Sequence, residues 1–287
     1  MSRATDAGPR PTLGAPVTRL RRSRSEPRIT EHPARRTCSR HAGLAALLAG
    51  DHDSARRIVA SLGKPGSRGW TALDPGSLLS SHATAVGLAR RDGDQGALVT
   101  RWRAAQETLA AAPAELDGVS AVGELWLAAA RLREIDRVAR LVRESAELLR
   151  RHPDATGETA TFHWYGVQAA ILAGRPTAMI PHATALRAAV ADPDPAVRAD
   201  AGVLVDAARA WVRLLRGEVD ADEVSGCARR LGEIGQRWAG ARLAGEAALR
   251  APVADAVALA RVATALSTNA HRTGIAARVH NNEVYEM

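Results

Sequence analysis

The chain has 287 residues, a formal net charge of +8 and 46% hydrophobic residues, of which only six Trp, two Tyr and one Phe are aromatic. Such a length holds one large or two ordinary domains, and an apolar fraction carried by Ala and Leu favours helices and argues against a β-rich fold. No apolar run has membrane-spanning length, the N-terminus has no apolar signal core, and Cys38 and Cys227 stand alone, which argues against a membrane span, a secretory leader and a disulfide framework and makes a reducing cytoplasm the expected location.

The charge is concentrated. Residues 1–40 hold ten Arg against Asp6, Glu26 and Glu31, a net of +7, which leaves +1 for the remaining 247 residues. Lys64 is the sole lysine, so the basic residues are almost all Arg, a pattern that reads as codon bias before function. Residues 1–34 read as a disordered basic leader that cannot bury enough surface to offset its ordering entropy; weak nucleic-acid contact is the other use of such a segment.

Helical periodicity starts near Ala34. A first helix is expected over 35–49 with a stop at Gly50, and Asp51 or Asp53 caps a second through Leu62. Lys64-Pro65-Gly66 and Asp74-Pro75-Gly76 bracket a polar connection before a third helix to about Arg90. Asp92-Gly93-Asp94 repeats the stop-and-cap pattern, and Leu98, Trp102, Ala105 and Leu109 form the next apolar stripe. Val122, Leu125, Ala129 and Leu132 line a further helix, whose partner from Asp136 buries Val138, Leu141, Val142, Ser145, Leu148 and Leu149. Helices follow from about Glu158 to Leu172, from Pro176 with a kink or late start at Pro181, and from Asp194-Pro195 with Leu204, Ala208, Trp211 and Leu215 as its stripe. Asp220 or Asp222 starts the next, and Leu231–Leu266 forms a terminal pair with Trp238, Arg242, Gly245 and Leu249 along one helix.

The joints within pairs fall near Gly50, Gly93, Glu134, Gly174, Gly217 and Ala251, a period of about 40 residues until the shorter last step. One helix pair per period predicts an all-α fold, a right-handed superhelical array of antiparallel pairs over 35–266, with a polar tail over 267–287.

Chemistry is sparse. Lys64 precedes Pro65, so no phosphate loop exists; GxGxxG, HExxH and GxSxG are absent, and the nine His lack ligand spacing. No enzyme activity, metal or cofactor is expected. Phe162, His163, Trp164 and Tyr165 are the densest aromatic patch; helical neighbours point about 100° apart, so the four cannot share one face. They are the candidates for a ligand groove, with His163 and Trp164 at its wall, or else for packing between repeats. The other Trp residues read as core fillers, the Arg-bearing face of 131–151 as solvated, and Arg242 with Glu246 as a surface i,i+4 pair.

The run from Trp238 to Arg250, with ARLAGEAALR over 241–250, is similar to a segment of actinobacterial LuxR-type transcriptional regulators. Trp238, Arg242, Gly245 and Leu249 carry the match; Arg237 stands where that family commonly has proline and Ala239 where it has an acidic residue. The resemblance implies the tetratricopeptide-like sensor region of such a regulator, which binds a small effector or a protein partner on its concave face. It also implies flanking ATPase and helix-turn-helix modules, neither of which is recognisable here. Ser267–Met287 is too short and polar for the DNA-binding unit, so the expectation is a partial product or a sensor without its own reader, touching DNA only through an absent domain or weakly through the basic N-terminus. A free-standing tetratricopeptide-like interaction scaffold is the other reading.

Overall fold

The computed structural model describes residues 41–267 except Pro65, and among these every regular element is helical. The expected basic leader and polar tail lie outside the described residues, save for Ser267. No helix among the described residues is long and apolar enough to cross a membrane.

Short polar side chains start the helices. Asp51 accepts from Ser54 N ahead of α2 (His52–Ser61), which follows α1 (Ala42–Leu48). Trp70 is buried on a single turn, α3 (Arg68–Thr71), within what the sequence suggested was only a polar connection; its Nε1 donates to Gly63 O at 3.0 Å. Asp74 caps α4 (Pro75–Asp92), and Asp94 caps α5 (Gln95–Ala104), which breaks at Ala105 before α6 (Gln106–Ala111). The expected single stripe therefore spans two helices, although Leu98, Trp102, Ala105 and Leu109 are all buried. Then come α7 (Val119–Leu132), α8 (Ala139–Arg151), α9 (Thr156–Leu172) and α10 (Met179–Ala189), with 3₁₀ turns at Ile135–Arg137 and Pro176–Ala178. Pro181 sits in the first turn of α10, where a missing N–H costs nothing. Asp194 and Asp220 cap α11 (Pro195–Leu215) and α12 (Ala221–Glu233); α13 (Arg237–Ala248) and α14 (residues 253–267) complete the order. On α11 the core takes Leu214, and Leu215 is 42% exposed, one position off the expected stripe.

The longer helices pack on elements close to them in sequence: α4 on α1, α5 and α7; α9 on α7, α10 and α11; α12 on α11 and α13. One core runs from Leu44 to Leu141 and a second from Ala160 to Leu259, and Leu127, Ala130, Tyr165, Ala169 and Ala173 join α7 to α9 between them. Five of the six expected joints carry a shared backbone signature, which Ala251 lacks and which Gly63, Gly66 and Gly235 carry at other connections. Gly50, Gly93, Arg133, Gly174 and Gly217 all have positive φ, at steps of 43, 40, 41 and 43 residues. The third is Arg133, not the neighbouring Glu134, and it is the non-glycine left-handed residue among those described.

The Arg133 side chain makes a bond that glycine could not: Nη1 donates to Ala173 O at 2.6 Å, tying its joint to the next. Arg133→Ala keeps the left-handed strain and loses this bond, so urea unfolding should show a loss of about 1 kcal/mol. Arg133→Gly loses the same bond but relieves roughly 1 kcal/mol of strain, and should fall close to the parent protein.

Candidate functional site

The last turn of α4 places Arg90 and Arg91 side by side, and α7 sends Glu124 between them. Glu124 Oε2 accepts from Arg90 Nη2 at 2.6 Å and from Arg91 Nη1 at 2.8 Å, while Oε1 accepts from Arg91 Nη2 at 2.8 Å and from the Tyr165 hydroxyl of α9 at 3.2 Å. The three charged side chains are 0%, 6% and 1% exposed. Two glycines give this cluster room. A Cβ on Gly87 would come within 2.9 Å of both Arg91 Nη1 and Glu124 Oε2, and one on Gly123 would collide with the Tyr165 ring.

Burial alone would raise the Glu124 carboxyl; the charges and hydrogen bonds of Arg91 and Arg90 outweigh it and hold the group at about 2. Burial first, and then the neighbouring Glu124 charge, push the Tyr165 phenol well above its usual 10. At neutral pH the cluster is therefore two guanidinium cations, one carboxylate and a neutral phenol.

The C-terminal helices lie over it. From α13, the Trp238 ring faces Arg90 Cζ at 4.1 Å and Arg91 Cζ at 5.4 Å, both within cation–π range. Gln236 Oε1, just before α13, accepts from Trp164 Nε1 at 3.2 Å. Between these contacts lies a cavity of about 420 Å³, walled by Leu47 and His52 of the first pair, Glu124, Gln168, Trp238 and Leu266 among others. Volume in this range suits a metabolite-sized molecule.

Arg242 projects into the same cavity. Its Cζ lies 4.8 Å from the Trp211 ring centre and 5.5 Å from that of Trp238, and Nε, Nη1 and Nη2 are all buried without a hydrogen-bond partner. The expected surface pair with Glu246 does not form, because Glu246 accepts instead from Arg250 Nη1 at 2.6 Å, one turn further on. Burial, followed by repulsion from Arg90, lowers the Arg242 guanidinium to about 9, so it remains a cation at neutral pH.

The four aromatic candidates divide between two places. Trp164 and Tyr165 line the cavity. Phe162 and His163 face a separate depression with Leu149 and Pro153, where Phe162 stacks on Trp126 at 5.7 Å and the two Nδ1 atoms of His163 and His182 are 3.0 Å apart. Among the motif residues, Trp238 and Arg242 reach the cavity, Gly245 faces Ala263, and Leu249 is 82% exposed just past the end of α13. Trp70, Trp102 and Trp211 fill the core as expected, whereas Trp126 is only partly buried and Trp238 forms cavity wall instead. Among the described residues no group of His, Cys, Asp and Glu could hold a metal ion.

No family model, curated protein or solved structure matches this chain.

Sequence reasoning missed Arg90, Arg91, Glu124 and Gln168. One signal was available: Glu124 is the lone charged residue in an otherwise apolar stretch from Ala121 to Ala130, and a carboxylate so placed is buried only with a partner. Gly123→Ala should lower stability by about 1–3 kcal/mol by forcing Tyr165 off Glu124, read as a lower urea midpoint at unchanged slope.

Proposed function

We propose that the chain is a regulatory sensor: a tetratricopeptide-like, right-handed superhelical array that receives a small effector in the cavity between its N-terminal and C-terminal helices. The recurrence of a left-handed joint every 40–43 residues supports the array. The observation that carries the sensing role is the cavity itself, where residues of α1, α4, α7, α9, α13 and α14 converge around buried polar groups that lack protein partners. A ligand there touches both ends of the described chain at once, which is what a sensor needs to convert occupancy into a change of shape. The LuxR-like run from Trp238 to Arg250 is consistent with this, since Trp238 and Arg242 are its cavity residues.

A second reading, an interaction scaffold, is favoured by Leu249, Val253 and Val257 at the C-terminal pair, which are 82%, 85% and 52% exposed. Thermal-shift screening of the full chain against sugars, nucleotides, amino acids and organic acids separates the two. A saturating effector at a hundredfold excess over Kd should add about 2.7 kcal/mol, a rise of several degrees in Tm. If no compound stabilises the protein, the sensor reading fails; a protein partner whose binding is lost in Val253→Glu would then establish the scaffold.

A further inference from the structure

The cavity has an imbalance that its own residues do not resolve. Five arginines line it (Arg56, Arg90, Arg91, Arg237 and Arg242) against two carboxylates, Asp92 and Glu124. Arg56 is taken up at the rim by Asp92 at 2.6 Å, and Glu124 serves both Arg90 and Arg91. That leaves Arg237 and Arg242 without a carboxylate partner in the cavity wall; Arg237 has one buried, unbonded nitrogen, Nε, whereas all three of Arg242 are buried and unbonded, with only the charge of Glu246, outside the wall, to favour its cation. Isolated buried cations cost several kcal/mol, and stacking on Trp211 and Trp238 recovers only part of that.

Further unpartnered groups surround it. Arg90 is 3% exposed, yet Nε and Nη1 have no acceptor. Gln168 is 2% exposed, and both Nε2 and Oε1 of its amide are unbonded. These are donors of the kind that bind oxyanions, together with one acceptor for a hydroxyl or amine. The apolar remainder of the wall, Leu47, Leu127, Leu266 and the Trp238 ring, suits a ligand with an apolar or flat body. A neutral sugar would leave Arg242 uncompensated.

Resting on the reading that this cavity is an effector site, we propose that its ligand is a small organic anion, a carboxylate or a phosphate monoester. Its charged group is held by Arg242 with Arg90, and a second polar group by Gln168. Trp238 is the cover, stacked across both arginines. Removing the Arg242 charge should leave the unliganded protein at least as stable as the parent, because a buried cation is lost and no hydrogen bond is broken.

The test is a thermal titration of the full chain with inorganic phosphate, citrate, benzoate and adenosine monophosphate at ionic strength fixed with sodium chloride, beside the neutral controls glucose and adenosine. The expected result is a saturable rise in Tm with at least one anion and a loss of affinity of about tenfold or more in Arg242→Met and in Gln168→Leu. Response to inorganic phosphate and the monophosphate marks a phosphate ligand; response to citrate or benzoate marks a carboxylate. Saturable stabilisation only by neutral compounds overturns the anion proposal and leaves the effector site standing. An anion effect unchanged in Arg242→Met also overturns it. Stabilisation by nothing removes both. An Arg242→Met protein less stable than the parent without ligand would make Arg242 a structural residue and overturn the proposal; if that variant does not fold, Arg242→Gln and Gln168→Leu decide the affinity comparison.

Discussion

Glu124→Gln lowers the stability of the chain by about 3–5 kcal/mol, the cost of leaving buried charge without its counter-ion. The carboxylate is the shared acceptor of Arg90, Arg91 and Tyr165, and neither guanidinium has more than 6% of its side chain in contact with solvent. A glutamine keeps the shape but presents an amide that can accept at one atom only, facing two cations with nothing to neutralise them. The loss should appear as a lower urea midpoint at unchanged slope. Breaking a buried cluster and replacing it are different experiments. Changing Arg90, Arg91 and Glu124 together to Met, Met and Leu should cost far less than Glu124→Gln alone, because no charge is then stranded. A single Glu124→Gln loss below about 1 kcal/mol would show that water reaches the cluster in solution.

Acid should destabilise the protein in two successive windows that meet between about pH 4.5 and 4. His82 is 4% exposed against Trp70, with ring centres 4.6 Å apart; burial, then the charge of Arg101, lowers it to about 4. The same value holds for His182, where burial comes first and His163 second. A histidine with a depressed native pKa is neutral when folded and takes up its proton on unfolding. Its stabilising contribution is therefore whole above pH 6.5 and declines as the pH falls from 6.5 towards 4. For His82 the full change is about 3 kcal/mol, and His182, closer to solvent, adds less. Glu124 works by the same sign rule in a lower window: with its carboxyl at about 2 against 4.5, its contribution is lost only as the pH falls below 4.5. Urea unfolding at a series of pH values should thus show a decline beginning near neutrality, and His82→Phe should flatten its upper part. A parent stability level from pH 7 to 4 would contradict this.

Much of the framework was legible because it is set by local chemistry. Asp51, Asp74, Asp94, Asp194 and Asp220 each accept a backbone N–H at a helix start, and a capping aspartate announces itself within four residues. Glycine joints are legible for the same reason. Arg133 escaped because its left-handed backbone is held by a bond to Ala173, forty positions away, and no local signal marks it.

The candidate site was only half legible. All four aromatics from Phe162 to Tyr165 stand out by their concentration, yet adjacent residues on a helix diverge: Trp164 reaches the cavity with Tyr165, while His163, expected beside Trp164, faces another depression with Phe162. Arg242 was misread for a specific reason: Glu246 at i+4 and Arg250 at i+8 offer two equivalent pairings, and the one that forms leaves Arg242 without a partner. Nothing near Arg90 in sequence predicts that Trp238 will cover it; that contact exists only because α13 returns to α4.

Hydrogen exchange on the full chain, with and without the most stabilising compound of the ligand panel, tests the effector site most directly. The proposed site predicts slower exchange in α4, α7, α9 and α13 together, since one cavity draws its walls from all four. Protection confined to the Phe162–His163 face or to the exposed α14 surface, or no stabilising compound at all, would contradict it.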